Sequence, residues 1–106
     1  MTAWIVIGDA NGEPTTASCS HLGRAADVAP STTQGCEDCL REGTTWVHLR
    51  ECLECGHVGC CDNSPRTHAS VHWRTSEHVL MRSFEPGEDW GWCYADDLFL
   101  AAAPIA

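Results

Sequence analysis

The sequence predicts an α+β fold: a small zinc-stabilised domain built on a twisted antiparallel sheet with one or two short helices. Three observations carry that expectation. Eight cysteines stand in 106 residues, a density that means either a disulfide framework or a metal framework. Two cysteine pairs have the Cys-x-x-Cys spacing that lets both sulfurs of a tight turn reach one ion. The apolar residues recur mostly at the period of strands, with one helical stretch.

Residues 3 to 7, AWIVI, read as a short buried strand, and GDANGEPTT after it is turn-forming by its Gly, Asn and Pro. Residues 22 to 35, rich in Ala, Ser and Thr, read as a loop with room for one helical turn. TTWVHLRE, 44 to 51, alternates Trp46, His48 and Arg50 against Val47 and Leu49, the period-two pattern of a half-buried strand. Pro65 suits a first helical position, and 65 to 77 puts His68, Val71, His72 and Thr75 on one helical face. HVLMRSF is again a strand, EPGED a turn, and WGWCYADDLFL closes the chain, with residues 101 to 106 expected to fray. No repeat or linker interrupts residues 1 to 106, so a single domain with its core at 19 to 97 is expected.

A start without a basic segment and with too short an apolar run argues against secretion, and so against disulfides. A cytoplasmic, metal-bound state is the expectation. The net charge of −9, with six Arg and no Lys, argues against nucleic acid, whose phosphates are bound by clustered cations. No run approaches the roughly twenty apolar residues of a membrane span. The absence of Lys beside abundant Ala, Gly and Arg points to a GC-rich, bacterial source.

Cys36 with Cys39 and Cys52 with Cys55 are the two pairs, and Gly56 after the second fits a zinc knuckle. A redox Cys-x-x-Cys comes singly, at a helix start after a strand. Each pair needs two more ligands, and Cys60, His68, His72 and His78 supply four candidates whose partition spacing leaves open. His48 and His57 are read as a strand residue and a turn residue. A third group is Cys19, His21 and Cys93 with Asp96, the last completing Cys-x-x-Asp, and with Asp97 as its alternative; zinc accepts carboxylate oxygen.

The order Cys-x-His, Cys-x-x-Cys, a Trp-bearing strand, CLECGHVGC, His-x-x-x-His, HVL and WCY resembles the ubiquitin-protease-type (UBP-type) zinc finger. The likeness runs from Cys19 to Asp97, and GHVGCCDNSP and EPGEDWGWCYADD are similar to small stand-alone bacterial members. The resemblance implies three zinc ions in a cross-braced arrangement: Cys36, Cys39, Cys60 and His68 on one, Cys52, Cys55, His72 and His78 on a second, Cys19, His21, Cys93 and Asp96 on a third. Cys61 is then the spare cysteine.

Four protein ligands per ion leave no position for the water that hydrolytic zinc needs, so no enzyme activity is expected at the metal. The resemblance implies instead a peptide- or protein-binding module whose pocket is walled by Trp46, Trp92 and Tyr94. Family members that bind ubiquitin grip its free C-terminal tail with an Arg following the knuckle. Here Asp62 holds that place and repels a terminal carboxylate, so a ligand other than ubiquitin is expected. A purely structural or zinc-buffering protein is the competing class, favoured if the tryptophans are fully buried. A thiol redox enzyme is a third, and it requires Cys61 to be exposed with a depressed pKa.

Overall fold

The computed structural model describes residues 3–9 and 11–103. Six strands and two helices follow the chain: β1 Ala3–Ile7, α1 Glu37–Glu42, β2 Leu49–Cys52, β3 Val58–Cys60, α2 His68–Ser76, β4 Leu80–Ser83, β5 Trp90–Cys93 and β6 Leu98–Ala103. A 3-10 turn at Leu22–Arg24 is the helical turn foreseen within the 22–35 loop. The strands form one antiparallel sheet in the order β1-β6-β5-β4-β2-β3. The α+β antiparallel expectation is met, with both helices present.

Strand alternation divides the sheet into two different faces. Glu51, Arg82, Gly91 and Leu100 align across β2, β4, β5 and β6 by register, and this side carries the core of Leu53, Val79, Leu80, Cys93 and Leu100. The N-terminal loop covers it through Cys19, Leu22 and Ala25, with Trp4 and Val6 of β1. Cys52, Met81, Trp92 and Phe99 align on the other side. There α2 leans on the sheet. Gly59 permits the close approach, because a Cβ at that position would sit 2.8 Å from the Ala69 backbone nitrogen.

Four expectations need correction. Residues 44 to 48 are not a strand: β2 begins at Leu49, since Thr44 to Trp46 are occupied in passing from α1 to the first metal cluster. Pro65 is in a bend, and α2 begins three residues later. The helix start is fixed by His68, whose backbone N–H donates to Cys60 Sγ at 3.2 Å while Thr67 adopts a left-handed φ of 48°. AWIVI is an edge strand rather than a buried one, with Ile5 49% exposed. Residues 101 to 103, expected to fray, are strand paired with β1 through Ala3↔Ala103, Trp4↔Ala102 and Ile5↔Ala101; 104–106 lie outside the described residues.

Candidate metal centres and ligand cavity

Three clusters of four donors emerge from this frame, with the donors of each within 4.8 Å of one another. The first joins α1, β3 and the start of α2. Cys36 caps α1 by accepting from the Cys39 N–H at 3.3 Å. This pair therefore opens a helix, as a redox pair would, but the chain leads into it by a loop and its sulfurs face two further ligands. His68 Nδ1 lies 3.3 Å from the sulfurs of Cys36 and Cys39 and 3.5 Å from Cys60 Sγ; Cys39 and Cys60 sulfurs are 3.9 Å apart. Tetrahedral zinc with Zn–S near 2.3 Å and Zn–N near 2.0 Å sets its donors roughly 3.3–3.8 Å apart. The cluster fits that edge length. The remaining nitrogen of His68, Nε2, is 3.2 Å from Glu42 Oε1, which fixes the ring with Nδ1 toward the sulfurs.

The second cluster is held by the β2–β3 turn, the middle of α2 and the segment after it. His72 Nε2 is 3.3 Å from Cys55 Sγ, and His78 Nδ1 is 3.6 Å from Cys52 Sγ. The turn closes through Gly56, at φ 86°, whose N–H donates to the Cys52 carbonyl at 2.9 Å. The third joins the two ends of the sequence. His21 Nδ1 is 2.9 Å from Asp96 Oδ2 and 3.7 Å from the sulfurs of Cys19 and Cys93. Asp97 turns elsewhere, at φ 52°, toward the cavity described below.

Burial pushes Cys36 up to about 12, with Cys60 and Cys39 as like-charged neighbours, and Cys19 likewise to about 12. Burial also raises Cys52 to about 11. Burial, then His57 and His78, lower His72 to about 4, so it is neutral at pH 7 and its lone pair is free for a metal. A dication bound at a centre would offset the cost of charging these buried thiols and turn them into thiolate ligands. Chemistry and spacing thus suit zinc at all three clusters.

The chain also forms an open cavity of about 590 Å³ between α2 and the outer side of the sheet. Its walls include Trp73, Trp90, Trp92, Tyr94 and Phe99. Trp73 and Tyr94 stack at 5.5 Å, 3° from parallel, and Trp92 meets Phe99 edge-on at 4.9 Å. Asp62 lines the mouth and accepts a hydrogen bond from Ser70 Oγ. Burial, with Asp62 adding to it against the Ser70 hydroxyl, pushes Tyr94 up to about 12 and keeps the phenol neutral.

Of the four residues expected around this pocket, Asp62, Trp92 and Tyr94 are brought together and Trp46 is not. Trp46 packs instead on Cys36, Cys39 and Cys60, against Gly35, where any Cβ would collide with the indole. Because 44–48 is not a strand, nothing carries Trp46 onto the sheet face. Cys61, the spare cysteine, is only 6% exposed. Burial pushes its thiol up, but the Ser64 hydroxyl and the Asn63 N–H, with Arg50 behind them, bring it below the usual value. The exposure that a redox role requires is missing.

Sequence reasoning missed Arg50 and Trp73 in the cavity, and it left His57 as a turn residue. The stretch containing Arg50 was read as a strand, but no hydrophobic pattern says which loop or helix closes over it.

Two comparisons place the chain. Residues 36–103 match the family described as the Zn-finger in ubiquitin-hydrolases and other proteins, a span that holds ten of the twelve clustered residues and leaves Cys19 and His21 ahead of it. The solution NMR structure of protein RPA1320 from Rhodopseudomonas palustris is similar at 46% identity, with a TM-score of 0.73, over 82% of this chain and 84% of that one. With most of its length matched and its cysteines and histidines gathered in zinc-like sets, the chain belongs to the UBP-type zinc-finger family and is a zinc-binding protein.

Proposed function

We propose that the chain is a non-catalytic module, bacterial and cytoplasmic, that carries three structural zinc ions and binds the tail of a peptide or protein in its aromatic cavity. The state of the tryptophans supports this reading over a purely structural or zinc-buffering one. None of the five is fully buried, and three of them wall an open cavity instead of filling a core. Each cluster offers four donors, so a bound zinc keeps no position for an activated water. Zinc here supplies folding energy to a small core.

The cavity's charge indicates which end of a tail it takes. Arg24, Arg41 and Arg82 face carboxylates, whereas among the described residues Arg50, Arg66 and Arg74 have no ion-pair partner, and of these Arg50 and Arg74 are on the cavity wall. Arg50 lies 4.6 Å over the Trp90 ring and gives Nη1 to the Leu49 carbonyl. In a chain of net charge −9, two unpaired guanidiniums among aromatic rings favour an anionic group such as a terminal carboxylate. Asp62 stands where ubiquitin-binding relatives carry Arg, so the anchor shifts from the knuckle to β2 and the ligand changes with it.

Tryptophan fluorescence with a library of C-terminal peptides tests this. Binding should require the free carboxylate, weaken about 10–100-fold in Arg50→Ala, the worth of a charge-assisted hydrogen bond, and be absent for free ubiquitin at micromolar concentration. Tight binding of ubiquitin, or peptides bound equally well when amidated, would contradict the proposal.

A further inference from the structure

His57 belongs to none of the three donor clusters, yet it touches two of them through its neighbours. Its Nε2 is 2.7 Å from Asp38 Oδ2 and 3.3 Å from Glu37 Oε2. Both carboxylates are on the first turn of α1, between the first cluster's two cysteine ligands. Arg41 Nη2 donates to the other oxygen of Asp38 at 2.6 Å, which holds that carboxylate in one orientation. The opposite contact of His57 is a ring. It stacks on His72 with centroids 4.2 Å apart and planes 9° from parallel, and His72 presents Nε2 to Cys55 in the second cluster. The backbone carbonyl of His57 accepts the Cys52 N–H at 2.8 Å, so the knuckle itself fixes its position.

We propose that His57 is a positioning residue that transmits the occupancy of the first zinc cluster to the second. A helix of six residues does not persist alone in water. α1 is held by its N-cap Cys36 and by Cys39, both ligands of the first cluster, so metal there orders the turn that presents Asp38. Asp38 then fixes the His57 ring, and the stack fixes the plane of His72, so its lone pair is aimed before the second ion arrives. Orientation of a ligating histidine by an outer contact is typically worth about 10–100-fold in metal affinity. By linkage the coupling runs both ways.

Burial sets the order in which the ions move. All four donors of the first cluster are buried, whereas the second has Cys55 exposed and both histidines half-buried. Of these two ions, the second therefore leaves before the first and returns after it. This inference depends on zinc at the two clusters and is independent of what fills the aromatic cavity.

The test is chelator titration of the full chain loaded with cobalt, whose absorption differs between three-sulfur, one-nitrogen and two-sulfur, two-nitrogen sets. In the natural protein the bands of the second set should vanish before those of the first. In His57→Ala and in Asp38→Asn, that loss should move to about 10–100-fold weaker chelation while the bands of the first set stay in place. His57→Phe, which keeps a flat ring against His72 but gives Asp38 nothing to hold, should bind the second ion as weakly as Asp38→Asn does and be indifferent to adding that substitution. Equal weakening of both sets would mean a general structural role and overturn the proposal, as would full second-set affinity in His57→Phe, which would take Asp38 out of the path. So would unchanged titrations in both variants, or a fourth equivalent of metal lost in His57→Ala, which would make Glu37, Asp38 and His57 a metal site of their own.

Discussion

Cys60 and Cys61 are adjacent, and a serine at each should have opposite consequences. Cys60 ends β3 with no exposure; its sulfur stands 3.5 Å from His68 Nδ1, 3.9 Å from Cys39 Sγ, and accepts the His68 N–H. The next side chain along the strand points to the other side. Cys61 Sγ accordingly meets Ser64 Oγ at 3.6 Å on the wall of the aromatic cavity. If a structural zinc contributes roughly 10–16 kcal/mol through four donors, each donor carries about 2.5–4 kcal/mol, a large part of a small domain's roughly 5–15 kcal/mol of stability. Cys60→Ser should lose the first ion and unfold or nearly so. Cys61→Ser exchanges one small group for another and keeps a partner in Ser64, so its cost should stay within about 1 kcal/mol. Native mass spectrometry for zinc content, with chemical denaturation for stability, reads both. Zinc lost from Cys61→Ser, or retained in full by Cys60→Ser, would refute the reasoning.

Three other outcomes follow from the same geometry. Asp96→Ala should cost less than Cys93→Ala, because Asp96 is exposed on a turn whereas Cys93 is fully buried among Leu80 and Leu100; equal unfolding of both by circular dichroism would contradict the ranking. Exhaustive chelation, once both central ions are gone, should abolish the fold, because ligands from 36 to 78 alternate between two clusters; an unchanged circular dichroism spectrum would show the metal to be peripheral. Glu51, 5% exposed, leaves Oε2 without a partner and has Arg82 no nearer than 3.7 Å. Burial raises its pKa against the pull of Arg82, so its favourable contribution is present below the unfolded carboxylate value and lost as pH rises through the folded one. Glu51→Gln should therefore stabilise the zinc-loaded protein by about 1 kcal/mol at pH 7 and by less toward pH 5, as denaturant midpoints would show.

The two Cys-x-x-Cys turns and the His-x-x-x-His helix face were legible because they announce themselves within a few residues, whereas spacing left the partition of Cys60, His68, His72 and His78 open and the family resemblance alone implied the three sets. β4 was legible for the same reason, HVLMRSF being a period-two run ahead of the turn EPGED. What failed depended on tertiary demands. The start of α2 at His68 is set by the reach to Cys60 and not by Pro65. The stretch at Trp46 alternates like a strand but is spent in docking an indole against Gly35. β1 is apolar enough for a core strand yet lies at the sheet edge, since nothing in AWIVI says how many strands flank it. His57 looked idle because its partners, Asp38 and His72, stand 19 residues before it and 15 after it.

Zinc stoichiometry under native conditions tests the metal framework most directly. The full chain, expressed with zinc and sprayed intact, should carry three ions, and the count should fall to two in Cys19→Ser with the central pair retained. One ion or none on the unmodified protein would contradict the interleaved clusters on which the fold, the cavity and the coupling through His57 all depend.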